Sequence, residues 1–176
     1  MSERGRAVVL VGFMGAGKSS VGRQLEKCTG FPRFDTDEMI AAKFALSVPR
    51  IFEVHGEDVF RDAESEALQK LDSCSPSIIV TGGGIVLRTM HRELLRQLGT
   101  VVYLQADEET LFERISRRAS RPLLRTDDPR ATMKQLLERR LPLYEEIANL
   151  RVDTSSLSHD EVCDLILRNV PASKHG

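Results

Sequence analysis

The stretch that most constrains this chain is RAVVLVGFMGAGKSSVGRQLEK, from Arg6 to Lys27. Ala7 to Val11 is a continuous apolar run, short and branched enough for a buried strand. Gly12-Phe13-Met14-Gly15-Ala16-Gly17-Lys18-Ser19 then fits G-x-x-x-x-G-K-[ST] without a mismatch. Val21, Leu25 and Cys28 follow at helical spacing, and Gly30 stands where a helix would end. With glycine at roughly 7% of residues, the four fixed positions would match by accident in on the order of one such chain in a hundred. The flanking strand and helix make accident rarer still. Glycines let successive N–H groups face a polyphosphate at the positive end of a helix. The pattern therefore assigns nucleotide binding to Gly15, Ala16, Gly17, Lys18, Ser19 and Ser20, with Lys18 on the β- and γ-phosphates and the Ser19 hydroxyl on Mg²⁺.

At 176 residues the chain is expected to form one domain, 1–176, around one sizeable core. No apolar run approaches the roughly 18 residues that would span a bilayer. The short polar start before Ala7 does not read as a signal peptide, so a cytoplasmic protein with no membrane partner is expected. Cys28, Cys74 and Cys163 are far apart, with no metal-ligand spacing, and read as reduced thiols. Net charge is −1, yet residues 114–140 hold eight Arg and one Lys against Asp127, Asp128 and Glu138. A basic segment on a near-neutral chain favours a small anionic ligand over nucleic acid, although any single arginine there could be solvated surface. A monomer is expected.

Further apolar runs, at Ser77–Thr81 and Thr100–Leu104, read as strands, with briefer extended pieces near Phe34 and at Arg151–Asp153. Between them lie helical patterns. One runs from Glu38 to Phe44, and another opens at Ser47-Val48-Pro49 and closes before Gly56. A third spans about Glu57 to Leu71, with Val59, Ala63, Leu68 and Leu71 as its apolar stripe. Thr89–Leu98, a helix capped by Asp107, a long helix from near Arg130 and a final one capped by Ser158 complete the set. Pro142 is expected to bend or break the long helix, and Ser120–Pro129 reads as a loop without periodicity. Alternating strands and helices predict an α/β three-layer sandwich around a mostly parallel five-stranded sheet. Its ligand crevice would be formed by Gly12–Ser19, Asp35–Asp37 and Gly82–Gly84 at the carboxyl ends of the strands.

A glycine loop alone does not separate an ATPase, a GTPase and a kinase, but no N-K-x-D guanine-reading motif occurs. Asp35 and Asp37 alternate around Thr36, so one carboxylate can serve Mg²⁺ and the other an acceptor; a plain helix cap is the simpler alternative. Arg61 and Glu64 are three apart on one helical face, either as a site pair or as a surface pair of small energy. Gly82-Gly83-Gly84 is entropically costly for an ordinary loop and reads better as backbone that a ligand approaches closely. No histidine falls in a candidate loop.

GFMGAGKSS, FDTD, FRDAE, the strand ending in TGGG, RPLL, RLPLYEE and RVDT occur in an order and spacing that resemble the shikimate kinases, nucleoside-monophosphate-kinase-like proteins with a phosphate loop. The likeness covers residues from about 8 to 154. It implies a phosphate-loop kinase fold and transfer of the γ-phosphoryl of ATP to the 3-hydroxyl of shikimate, with Mg²⁺ as cofactor. It implies that Asp35 helps hold the metal, and that Asp37 binds the receiving hydroxyl. Arg61 and Arg140 would clamp the substrate carboxylate, Glu64 would orient Arg61, and Gly82, Gly83 and Gly84 would face the ring. Arg121, in a lid over about 117–129, would close on the phosphates, and Arg117 or Arg118 would stack on adenine. The region 35–64 would supply most of the acceptor site. Phosphoryl transfer needs such positioning and charge neutralisation more than covalent chemistry, and a planar carboxylate suits forked guanidinium groups. The alternatives are a gluconate or nucleoside-monophosphate kinase on the same scaffold, or a regulator that binds nucleotide without catalysis.

Overall fold

The computed structural model describes residues 6–118 and 125–170. Five strands, β1 (Ala7–Val11), β2 (Arg33–Asp35), β3 (Ile78–Val80), β4 (Gly99–Gln105) and β5 (Leu150–Asp153), form one sheet in the order β2-β3-β1-β4-β5. Every pairing among them is parallel, with Val9 opposite Ile79 on one side and Val101 on the other. Helices on both faces explain why β1 and β3 are apolar at every position instead of alternating. The chain leaves β1 toward β2 and β3, then later crosses to β4 and β5. β1 therefore sits where the winding reverses, and its carboxyl end opens into a crevice.

α1 (Lys18–Thr29) begins at the lysine of the glycine motif and ends at Gly30 in the left-handed conformation. α2 (Thr36–Phe44) starts directly on β2, capped by Asp35. α3 (Val48–His55) and α4 (Glu57–Gln69) follow, separated by Gly56 as expected. A 3-10 turn (Ile85–Leu87) follows the glycine triplet, then α5 (Thr89–Leu98). α6 (Glu108–Ser116) is capped by Asp107, α7 (Pro129–Ile147) by Asp128, and α8 (His159–Asn169) by a reciprocal Ser158–Glu161 capping box.

Two expectations need correction. The apolar stripe of α4 does not contain Val59, which is 38% exposed; Phe60, Ala63, Ala67 and Leu68 form it instead. Ala63 and Leu68 face inward as expected, but Phe60 takes the place given to Val59 because Phe60, Ala63 and Ala67 pack with Ile40 and Ile51 in a small core shared with α2 and α3. Pro142 does not interrupt α7, which continues to Ile147. The acceptor it leaves without an N–H belongs to Glu138, on the exposed side of the helix. Buried Met133, Arg140, Tyr144 and Ile147 hold the other face.

The main core lies around β1, β3 and β4, with Leu10, Ile78, Ile79, Val101 and Leu104 fully buried. At about 1.5–3 kcal/mol for each such side chain, this packing anchors the strand ends from which the crevice loops emerge. The smaller core stiffens the α2–α4 layer that carries Arg61 and Glu64.

Candidate active site

Gly17 takes a left-handed conformation (φ 96°) at the entry to α1, turning the chain so that Lys18 opens the helix. Lys18 Nζ donates to the carbonyls of Gly12 (2.6 Å) and Phe13 (3.0 Å), so the lysine spans its own loop. The loop is braced by residues from α6 and the end of β5. Arg114 donates to the carbonyl of Gly15 (3.2 Å) and to Thr154, and the Thr154 hydroxyl donates to the carbonyl of Ala16 (2.9 Å). Arg114 and Thr154 are not among the site residues read from the sequence. Forty residues apart, they meet only because α6 and the end of β5 converge on the loop.

A cleft of about 400 Å³ runs from Gly15–Ser20 past Asp35, Asp37, Thr81, Gly82 and Gly83 to Arg117 and Arg118. Leu157 and His159 also line it, although no histidine was expected at the site. Arg121 lies outside the described residues, as does part of the expected lid, 119–124.

Asp35 is both a cap and a member of the cleft. Its Oδ1 accepts from the backbone N–H of Asp37 (2.9 Å) and Glu38 (3.3 Å), while Oδ2 lies 4.0 Å from Arg33. Burial raises the pKa of Asp35 above its usual value, opposed by those N–H bonds. A cation in the cleft would keep that carboxylate ionised. The Ser19 hydroxyl and Asp35 are hard oxygen donors in the same cleft, and among the described residues no cluster of three His, Cys, Asp or Glu side chains occurs. That donor set fits Mg²⁺ shared with a polyphosphate, and not an all-protein metal cage.

The glycine triplet supplies close backbone approach. A methyl at Gly82 would stand 2.7 Å from Asp37 Oδ1, and one at Gly84 only 2.4 Å from Arg61 Nη2. A methyl at Gly83 would lie 3.4 Å from Arg140 Nη1. Asp37, Arg61 and Arg140 thus each press against one glycine of the same turn. Arg61 and Arg140 adjoin the cleft instead of lining it.

Both guanidinium groups are buried, at 7% and 6% residue exposure. Arg61 pairs with buried Glu64 (2.7 Å) and with exposed Glu57 (3.3 Å), while Arg140 Nε has no hydrogen-bond partner among the described residues. Glu64 is pushed up to about 7 by burial, against the opposing pull of Arg61. Arg61 thus has carboxylates of its own, whereas Arg140 makes no ion pair among the described residues, and an anionic ligand would supply the partner that its buried charge lacks.

A fully parallel sheet with the phosphate loop at its reversal point and an acidic acceptor corner beside it defines a small-molecule kinase of the phosphate-loop class. Residues 14–171 match the family model described as shikimate kinase. The shikimate kinase of Bordetella pertussis is 46% identical over 150 residues, covering 85% of this chain and 71% of that protein. That of Thioalkalivibrio sulfidiphilus is 44% identical over 161 residues, covering 92% and 85%. The structure of shikimate kinase from Acinetobacter baumannii in complex with shikimate superposes with a TM-score of 0.87 at 36% identity, covering 95% of this chain and 93% of that one. This chain belongs to the shikimate kinase family and is an ATP-dependent phosphotransferase acting on shikimate.

Proposed function

We propose that the cleft transfers the γ-phosphoryl group of ATP to the 3-hydroxyl of shikimate, giving shikimate 3-phosphate and ADP. The oxygen of that hydroxyl forms a bond to the γ-phosphorus as the bond to the β–γ bridging oxygen breaks. Asp37 orients the hydroxyl and accepts its proton late, since an ordinary Asp near pKa 3.9 is far too weak a base to ionise an alcohol beforehand. Lys18 leaves its loop carbonyls for the β- and γ-phosphates, whose N–H cradle is Gly15, Ala16, Gly17, Ser19 and Ser20. Arg121 closes on the phosphates, and Arg117 or Arg118 stacks on adenine. Ser19 and Asp35 would hold Mg²⁺, which would neutralise charge on the phosphate oxygens. The same Asp35 carboxylate would also stay bonded to the N–H groups that open α2, which fixes its place in the cleft.

Arg61 and Arg140 clamp the carboxylate, while Gly82 to Gly84 present backbone to the ring. The observation that carries this reading is the pair of buried arginines pressed on the glycine turn beside Asp37. A general ATPase has no use for them. The same reading takes 1–176 as one domain, acting as a cytoplasmic monomer with no nucleic-acid or membrane partner. Cys28, Cys74 and Cys163 are free thiols, which suits a reducing compartment.

An ADP-release assay across shikimate, gluconate, AMP and CMP tests the acceptor. Shikimate alone should support turnover; faster release with any of the others would reassign it.

A further inference from the structure

Two buried polar rings fasten the glycine turn to the helices that carry the arginines, and the mechanism above uses neither. His91, on α5, is fully buried. Its Nδ1 lies 3.0 Å from the carbonyl of Ile85, which can only accept, so this nitrogen carries the proton. Its Nε2 lies 2.6 Å from Ser65 Oγ and accepts from that hydroxyl. Ser65 stands next to Glu64 on α4, with its Oγ 3.1 Å from the carbonyl of Arg61. The imidazole is therefore a rigid spacer between the turn of α4 that bears Arg61 and Glu64 and the residue after Gly84, the glycine on which Arg61 lies.

Tyr144 repeats the arrangement on the other side. It is fully buried, stacks on Tyr103 at 5.2 Å, and its hydroxyl donates to the carbonyl of Gly83. Arg140 lies one turn earlier on α7 and faces that same Gly83. Each arginine thus meets one glycine, and each glycine–arginine gap is set by a ring bonded to a carbonyl at, or next to, that glycine.

We propose that His91 and Tyr144 are positioning residues for the substrate carboxylate, setting the separation of Arg61 and Arg140 from the glycine turn. This rests on the reading of those arginines as the carboxylate clamp. An alternative role, holding helices together and nothing more, would weaken the whole protein without preferring one substrate.

Steady-state kinetics on the full chain separate the two roles. Tyr144→Phe keeps the stacked ring and removes only the hydroxyl. His91→Asn keeps a donor for Ile85 but cannot reach Ser65, and Ser65→Ala breaks the same bridge from α4 should His91→Asn fail to fold. Each should raise the KM for shikimate by about tenfold, as for one buried hydrogen bond lost. The KM for ATP should stay within about twofold, and kcat at saturating shikimate within about threefold. Preference for shikimate over its uncharged carboxamide should fall in step. Arg61→Ala run alongside distinguishes the failures. If it raises the shikimate KM while the ring variants do not, the positioning role is overturned and the clamp stands. If it too leaves the KM unmoved, the clamp itself is wrong. Equal rises in both KM values, or a lowered Tm with unchanged KM, would also overturn positioning.

Discussion

Arg61 Nη1 donates to Glu64 Oε2 across 2.7 Å, one turn apart on α4, with the glutamate wholly out of water. A surface pair at this spacing would contribute a few tenths of a kcal/mol. Buried, the carboxylate pays heavily for desolvation; the charges that act on it are Arg61, Asp37 and Arg140, and the His91 ring lies 3.9 Å away. His91 is held neutral, its pKa lowered by burial, so it does not offset that cost as a cation.

The first prediction is a pH dependence of stability. Glu64 holds its proton up to about 7 in the folded chain, against a value of 4.5 for an ordinary glutamate. Between those values the native state binds more protons than the unfolded one. The contribution of this site is thus fully present below pH 4.5 and is lost as pH rises through about 7. Glu64→Gln cannot titrate, so its stability relative to wild type should improve across that window, by up to about 3 kcal/mol. Urea unfolding of both proteins at pH 5 and pH 7.5 measures this. Parallel stability curves would show that Glu64 stays ionised throughout.

Lys18→Ala should fold, since the side chain contributes two bonds to its own loop, but should nearly abolish turnover. Its charge acts where negative charge shifts in the transition state. A variant retaining more than about a tenth of wild-type kcat, a loss under ~1.4 kcal/mol, would remove Lys18 from the chemistry.

The glycine turn makes a graded prediction. At Gly82 an alanine methyl meets Asp37 Oδ1 at 2.7 Å and the carboxylate must turn away, whereas at Gly83 the nearest contacts are 3.4 Å. Misplacing a catalytic group by about an ångström costs on the order of a hundredfold. Gly82→Ala should therefore lower kcat by roughly 10- to 100-fold, and Gly83→Ala by distinctly less. The reverse ranking would mean that Asp37 is not the group that receives the hydroxyl proton.

What the sequence could and could not disclose follows from range. The phosphate loop, the Asp35 cap and the Arg61–Glu64 pair are set by neighbours within a few residues, so motif and spacing carry them. Asp35 turned out to serve the cap while also lining the cleft, which makes the two sequence alternatives compatible. Which of Val59 and Phe60 faces inward is not legible locally, because both are apolar and only packing against Ile40 and Ile51 chooses between them. Arg114, Thr154, His91 and Tyr144 each act through at least one partner between 26 and 138 residues away. A lone histidine in an amphipathic helix gives no signal until the fold brings α4 and the turn after Gly84 to either side of it.

The last prediction tests the substrate through the two arginines. If Arg61 and Arg140 hold a carboxylate, removing either leaves the anion short of a charge-assisted pair in a buried setting. Such losses run to roughly 2–5 kcal/mol, because the surviving charge is poorly compensated. Arg61→Ala or Arg140→Ala should therefore raise the KM for shikimate by well over tenfold. The KM for ATP should change little, since neither side chain lines the nucleotide cleft. Replacing the substrate carboxylate by a neutral amide should reproduce the defect in the wild type and add little to it in either variant, because both changes delete the same interaction. Additive losses would show that the arginines and the carboxylate act independently. An amide that serves the wild type as well as the acid would leave the two buried arginines without their ligand and the clamp without support.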